Sequence, residues 1–217
     1  MEPIRVLLAE DHTIVRKGLL SILADRLDVE VVGEAENGRE ALRLTEQLHP
    51  DVVVMDIAMP LLNGLEATRQ IKRYHPDVKV LVLTMHTNEE YVCRLLQAGA
   101  AGYVVKQAAP AELLLAVHAA HRGDLFLSPA VTSAVIAEYL EQGSPVDDGY
   151  DALTNREREV LQLLVEGYSN REIADTLTIS IKTAQTHRSN LMNKLGIANL
   201  CDLVKYAIQK GILLLEQ

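Results

Sequence analysis

Five runs rich in Val, Ile and Leu, each followed by a helical pattern, occupy the first 122 positions. The runs are IRVLLA (4–9), VEVVGEA (29–35), DVVVMD (51–56), VKVLVLT (78–84) and GYVVK (102–106). The first, third and fourth are nearly unbroken, which suits parallel strands covered on both faces. Helical patterns fill the intervals at about 13–26, 38–48, 64–73, 88–97 and 110–121. TNEE at 87–90 is a capping-box pattern, Pro110 suits a first helical position, and Asn63-Gly64 marks a turn. Such alternation gives an α/β doubly wound sheet, and right-handed crossovers restrict how it winds. We expect a flavodoxin-like (βα)5 domain with parallel strand order 2-1-3-4-5. That order makes strands 1 and 3 neighbours at a topological switch point, where such folds bind ligands.

After residue 122 the strand pattern stops. SPAVTSAVIAEYLEQ (128–142) reads as one more helix, and GSPVDDGYD (143–151) as a linker. The remainder reads as all-α, with four helices at about 155–166, 170–177, 181–195 and 199–210. Thr154 with Glu157 and Ser169 with Glu172 form two capping boxes, and Gly196 and Gly211 close the last two helices. The tight LTIS link between the second and third of these helices is the layout of a helix-turn-helix. The expected organisation is a domain over 1–124, a linker with one helix over 125–151, and a helix-turn-helix domain over 152–217.

Charge is divided as unevenly as architecture. Residues 1–149 carry 22 acidic and 13 basic side chains, whereas residues 150–217 carry eight of each. Between Asp175 and Asp202 there is no acid, while Lys182, Arg188 and Lys194 lie in the gap. The net charge of −9 argues against nucleic acid for the chain as a whole, but the local balance does not. No apolar run is long enough to span a bilayer, and the start, MEPIRVLLAEDH, lacks a secretory pattern. Cys93 and Cys201 fit no metal or redox spacing. The expected setting is cytoplasmic, with no membrane partner.

The third run ends in a charge, Asp56. In the expected strand order Glu10-Asp11, at the end of strand 1, lie beside it. Three carboxylates so close raise at least one pKa unless a cation compensates, and hard oxygen ligands of this kind suit Mg²⁺. Strand 4 ends in Thr84 and strand 5 in Lys106, both placed for the same crevice. A carboxylate can act as a nucleophile toward phosphorus, and a cation with a lysine can neutralise the transferring oxygens.

Glu10-Asp11, MDIAMP with Asp56, Thr84, and AGAAGYVVK with Lys106 together resemble the receiver domain of bacterial response regulators, over about residues 3–122. The resemblance implies that Asp56 is the phosphate acceptor. It implies direct Mg²⁺ ligation by Asp11 and Asp56, with Glu10 acting through water and Ala58 through its backbone carbonyl. Lys106 and Thr84 would contact the phosphoryl group, and Tyr103 would be the aromatic that repositions with it. Ala58 and His86 would influence how long the phosphoryl group lasts. His12 reads as a bystander. Phosphatases of the haloacid-dehalogenase type place a second Asp two residues after the first, as general acid. Ala58 has no proton to give, and no phosphate-binding G-x-x-x-x-G-K-[ST] loop occurs, so an enzyme beyond self-phosphotransfer onto Asp56 is not expected.

On the helix at 181–195, Ile181, Ala184, Leu191 and Leu195 form an apolar stripe, while Lys182, Gln185, Thr186, Ser189 and Asn190 lie on other faces. Polar tips without acids suit the major groove. Residues 153–197 resemble the LuxR-type DNA-binding domain, and with the receiver they resemble the NarL/FixJ family of two-component response regulators. That implies base-edge contacts from Gln185, Thr186 and Ser189, and phosphate contacts from Arg171, Lys182, Thr183, His187, Arg188 and Lys194. Asn190 shares the polar surface. It also implies a sensor histidine kinase as phosphoryl donor, duplex promoter DNA as target, a homodimer on activation, and RNA polymerase as a candidate partner. Leu203, Val204 and Ala207 are candidates for contact between DNA-binding domains. A helical module that binds protein or RNA is the alternative output.

Overall fold

The computed structural model describes residues 2–85, 89–107, 110–129, 131, 132 and 149–213. Two compact units result, Met1–Gly143 and Ser144–Gln217.

The first unit runs β1 (Ile4–Ala9), α1 (Thr13–Ala24), β2 (Val29–Ala35), α2 (Gly38–Leu48), β3 (Val52–Asp56) and α3 (Gly64–Tyr74). It continues with β4 (Lys79–Thr84), α4 (Glu89–Gln97), β5 (Gly102–Val105), α5 (Pro110–Arg122) and β6 (Phe126–Leu127). The strands form one parallel sheet, ordered β2-β1-β3-β4-β5-β6. The expected order of five strands is present, but the expectation that strands end at residue 122 is corrected. Phe126 and Leu127, read as linker, pair with Gly102 and Tyr103. Two residues are too few to show an alternation, so the sequence pattern could not reveal them.

The unbroken apolar runs are explained by burial on two sides. Every residue of β3 is buried. Val6, Leu8, Val52, Val54, Leu81, Leu83 and Val104 pack with Leu23 of α1 and with Leu113, Ala116, Val117 and Ala120 of α5. The alternate residues Leu7, Val53, Met55 and Val82 are fully buried on the opposite face. Burying one such side chain contributes about 1.5–3 kcal/mol, so the strands are rigid supports for whatever stands at their ends. Register is even except between β1 and β2, where the pairing shifts after Val6 and passes over Val32.

Caps fix the loops next to the strand ends. Asn63 accepts the Glu66 N–H and starts α3, as the Asn63-Gly64 signal suggests. A Cβ on Gly64 would stand 2.1 Å from the Asp56 carbonyl oxygen, so only glycine fits there. The TNEE pattern falls partly, and His86 wholly, outside the described residues, as does nearly all of the helix expected at 128–142.

The second unit contains α6 (Asn155–Val165), α7 (Asn170–Leu177), α8 (Ile181–Leu195) and α9 (Leu200–Gln209). Both expected capping boxes form, Thr154 with Glu157 and Ser169 with Glu172. Gly196 closes α8 with a left-handed φ of 66°. Tyr150 and Leu153, ahead of α6, are buried, and the Arg158 guanidinium lies 5.1 Å from the Tyr150 ring centre. Ordered packing therefore begins before residue 152. Ala184 and Leu191 face the core, but Ile181, expected in the same stripe, is 47% exposed at the first turn of α8. An isolated exposed apolar residue at a helix end is ordinary and does not break the core.

Candidate functional site: an acidic pocket and a polar helix face

The pocket is built by strand ends. Ala9 of β1 pairs with Met55 of β3, so Glu10-Asp11 emerge beside Asp56. Glu10 is held by its own N–H, which donates to the Ala35 carbonyl at 2.9 Å. Asp56 is 2% exposed and accepts the Ile57 N–H on Oδ1 at 2.7 Å. Lys106 directly follows β5, and its N–H donates to the Thr84 carbonyl at 2.7 Å. Its ammonium lies 2.7 Å from Glu10 Oε2 and 2.8 Å from Asp56 Oδ2.

The charges set one another's protonation. Burial pushes the fully buried Glu10 carboxyl up, the Asp56 charge pushes it further, and Lys106 offsets this only in part. Burial alone would disfavour the Lys106 ammonium, but Asp56 and Glu10 outweigh it and raise its pKa. One ammonium cannot balance Glu10, Asp11 and Asp56 together. Glu10, Asp11, His12 and Asp56 each offer a ligand atom, and these atoms lie within 4.8 Å of one another. Surplus negative charge on clustered hard oxygens fits a divalent cation.

Thr84 and Tyr103 are both buried, and their hydroxyls share a hydrogen bond. Burial pushes the Tyr103 phenol well above its ordinary pKa, with the Thr84 bond as a smaller opposing effect. The ring thus lies inward, against the strand end that carries Thr84. Ala58 is half-buried in the loop after Asp56. That loop is tied down by Met59 and Gly64 N–H groups donating to the Ile57 carbonyl, and by the Gly38 N–H donating to the Leu62 carbonyl. Leu61 takes a left-handed φ of 67° to complete it.

Two residues that the sequence reading passed over belong to this pocket. His12, read as a bystander, places Nδ1 2.8 Å from Asp11 Oδ1 and 3.3 Å from Glu10 Oε1. Arg16 is 8% exposed. It donates to the Glu10 carbonyl at 2.6 Å, to Glu36 at 2.6 Å and to Glu34 at 3.2 Å. A signal existed: Arg16 lies on the helical stripe of Leu19, Leu20 and Leu23, where a charge needs a buried partner.

In the second unit, Thr178, Ile179 and Ser180 link α7 to α8. Lys182, Gln185, Thr186, Ser189 and Asn190 are exposed and share one face of α8 by their spacing of three and four. Arg171 is exposed on α7, while Thr183, His187 and Arg188 are half-buried. Thr183 is engaged at the helix start, its N–H donating to the Ser180 hydroxyl. Arg188 reaches Asn170 Oδ1 at 3.5 Å. Lys194 turns away from the polar face, 2.7 Å from Glu157 Oε2, and donates to the Ala152 carbonyl at 3.0 Å. Leu203 and Ala207 are fully buried in this unit and Val204 half-buried, so the exposed apolar residues of α9 are instead Leu200 and Ile208.

Family models match both units. Residues 6–118 match the response regulator receiver domain, and residues 151–207 match the luxR family of bacterial regulatory proteins. The oxygen regulatory protein NreC of Staphylococcus carnosus is 38% identical over 214 residues, covering 96% of this chain and 99% of that protein. The transcriptional regulatory protein MctR of Rhizobium johnstonii is 40% identical over 209 residues, covering 96% and 95%. Among solved structures, RcsB of Salmonella enterica serovar Typhimurium, bound to promoter rprA with the phosphomimetic BeF3⁻, is 32% identical with a TM-score of 0.59. That likeness covers 94% of this chain and 98% of the other. Another RcsB structure, with two dimers on two parallel DNAs, has a TM-score of 0.61 at 32% identity, covering 95% and 98%. No helix among the described residues is long and apolar enough to cross a membrane.

Proposed function

The chain belongs to the NarL/FixJ family of two-component response regulators, DNA-binding transcriptional regulators, and from that premise we propose that Asp56 is its phosphoryl acceptor. A sensor histidine kinase is the donor, Mg²⁺ the cation, and α8 the element that enters promoter DNA. The single observation that carries the reading is the Lys106 ammonium set between Asp56 and Glu10 at the ends of β1, β3 and β5.

Asp56 Oδ attacks the phosphorus, the bond from phosphorus to the donor imidazole breaks, and the donor nitrogen keeps the electron pair. Lys106, already pressed against Asp56, stabilises charge on the transferring oxygens. Asp11 and Asp56, with Glu10 through water and the Ala58 carbonyl, would hold Mg²⁺, whose chemistry here is to neutralise phosphoryl oxygens. The acyl phosphate carries about −1.5 to −2 in charge and three acceptor oxygens, in place of the single charge of the carboxylate. Thr84 is the hydroxyl placed to bond it, and the Thr84–Tyr103 bond passes that change to the β4–α4–β5 side. Dimerisation then pairs two α8 helices with two half-sites. The setting is the cytoplasm, and RNA polymerase is a further partner.

The test is intact mass after acetyl phosphate and Mg²⁺, coupled to size exclusion, for the wild type and Asp56→Asn. The expected result is a phosphoryl gain in the wild type alone, with a shift to dimer. An equal gain in Asp56→Asn removes Asp56 as acceptor.

A further inference from the structure

We propose that the far end of the receiver sheet, opposite the acidic pocket, carries a separate cation site. It is built from His49, His75 and His121 and suits a divalent ion that accepts imidazole, such as Zn²⁺. The inference is independent of the reading of Asp56.

The run His-Pro-Asp-Val stands twice in the chain, at 49–52 and at 75–78. Each copy ends a helix and opens a strand, α2 into β3 and α3 into β4. β3 and β4 are parallel neighbours, and Val52 pairs with Lys79, so the two copies come side by side. The last turn of α5 ends at the same edge and brings His121. His49, Asp51, His75, Asp77, Lys79 and His121 are among the residues that line one cavity there, of about 380 Å³. Three imidazoles thus reach one opening from three different elements. Arg5 of β1 braces the first turn. Its N–H donates to Asp51 Oδ2 at 2.8 Å, and its guanidinium donates to the His49 carbonyl at 2.9 Å. Bonds of this kind behind the ligands are what orient a metal site.

Two carboxylates against the one ammonium of Lys79 leave the lining net negative while the imidazoles are neutral, which favours a cation over an anion. Imidazole suits Zn²⁺, Co²⁺ and Ni²⁺, whereas Mg²⁺ keeps to oxygen. The competing account is that both copies are plain helix-to-strand turns, in which proline stops the helix. That account explains Pro50 and Pro76, but not a third imidazole arriving on α5. Among the described residues no three of these donor atoms lie within 4.8 Å of one another. His49 and His121 are exposed and His75 is half-buried, so the rings can turn to close on an ion, at a cost in side-chain freedom. Once closed, the site ties the last turn of α5 to the starts of β3 and β4.

The experiment titrates the full-length chain with ZnCl2 by calorimetry, in excess MgCl2, and records the visible absorption of bound Co²⁺. The pocket variants are His49→Asn, His75→Ala and His121→Ala. Asparagine is used at 49 because it tolerates the left-handed turn that ends α2, where φ is 46°. The controls are Asp11→Asn, in the acidic pocket, and His118→Ala, which removes the imidazole paired with Asp28 one turn earlier on α5. Circular dichroism checks each fold, and His121→Ala changes an exposed side chain at a helix end, so the test stands even if His75→Ala unfolds. The wild type and both controls are expected to bind a single Zn²⁺ with equal affinity. Each pocket variant should bind at least about tenfold more weakly and lose the Co²⁺ band. A wild type that binds no Zn²⁺, or wild-type affinity in any folded pocket variant, overturns the proposal. A loss shared by Asp11→Asn places the ion in the acidic pocket, and a loss shared by His118→Ala assigns it to scattered surface imidazoles, and either result also overturns it.

Discussion

The Ser128 hydroxyl accepts the N–H of Val105 at 3.2 Å, one residue before Lys106. The same hydroxyl donates to Glu112 on α5, and the Ser128 N–H donates to the Tyr103 carbonyl at 2.9 Å. The segment that leaves the receiver is thus fastened to the strand that carries Tyr103 and leads into Lys106. Ser128→Ala strands a buried strand N–H and a carboxylate partner. We expect a loss of about 1–3 kcal/mol in urea unfolding of the receiver. An unchanged midpoint means the main-chain bonds alone hold this segment.

Arg16 has a comparable role at the other side of the pocket. Its guanidinium reaches one carbonyl and two carboxylates at once, with little exposure. Arg16→Ala should destabilise the receiver by about 2–4 kcal/mol, since hydrogen bonds to charged groups are the stronger kind. It should also weaken cation binding, because the Glu10 carbonyl loses its anchor. Arg16→Lys should recover little of either, since a point charge cannot replace a planar fork with several donors. Full recovery by Lys, in unfolding and in calorimetric titration, refutes the fork.

Glu157 gives the second unit a pH dependence. Burial pushes its carboxyl up, but the bonds from Lys194 and Thr154 outweigh burial and lower the pKa below the ordinary 4.5. A depressed acid contributes stability above its unfolded-state value, and that contribution is lost as pH falls through the folded value. The wild type should therefore be more stable than Glu157→Gln at neutral pH, with the difference shrinking as pH drops below 4.5. Urea unfolding of both at several pH values reads this directly. A gap that stays constant with pH assigns the stabilisation to the shape of the side chain.

The same pair separates two lysines on α8. Lys182 is exposed on the polar face, whereas Lys194 is bound to Glu157 and the Ala152 carbonyl. Lys182→Gln should lower the slope of log affinity against log salt by about 0.9, the signature of one lost phosphate contact. Lys194→Gln should change the slope by clearly less and instead reduce stability. Fluorescence anisotropy with a labelled promoter duplex at several salt concentrations distinguishes them. A larger slope change at Lys194 would show that it leaves Glu157 for DNA.

Much of this architecture was legible because its causes are local. Unbroken Val and Leu runs mark strands buried on both faces, and the boundaries of β1, β2 and α2 fall where composition puts them. The acids at strand ends followed from strand order, and the caps of α6 and α7 from spacing of three residues. What was not legible depends on partners distant in sequence. The bond of Lys194 to Glu157 spans 37 positions, and a lysine on a polar helix gives no sign of it. His12 beside two acids reads as an exposed ring until its nitrogen is seen to face them. Arg16 was visible as a charge on an apolar stripe, but its three acceptors lie just after β1, on β2 and just after β2.

The passed-over Val32 and the brevity of β6 have a joint consequence. They fall on the two outer strands of the sheet. An unpaired strand edge is a template onto which another chain can add. One edge here is kinked by an extra residue and carries the exposed acids Glu30 and Glu34. The other offers only two residues' worth of main chain. Among the described residues, strand-to-strand growth is blunted at both edges, which guards the folded receiver against edge-to-edge aggregation.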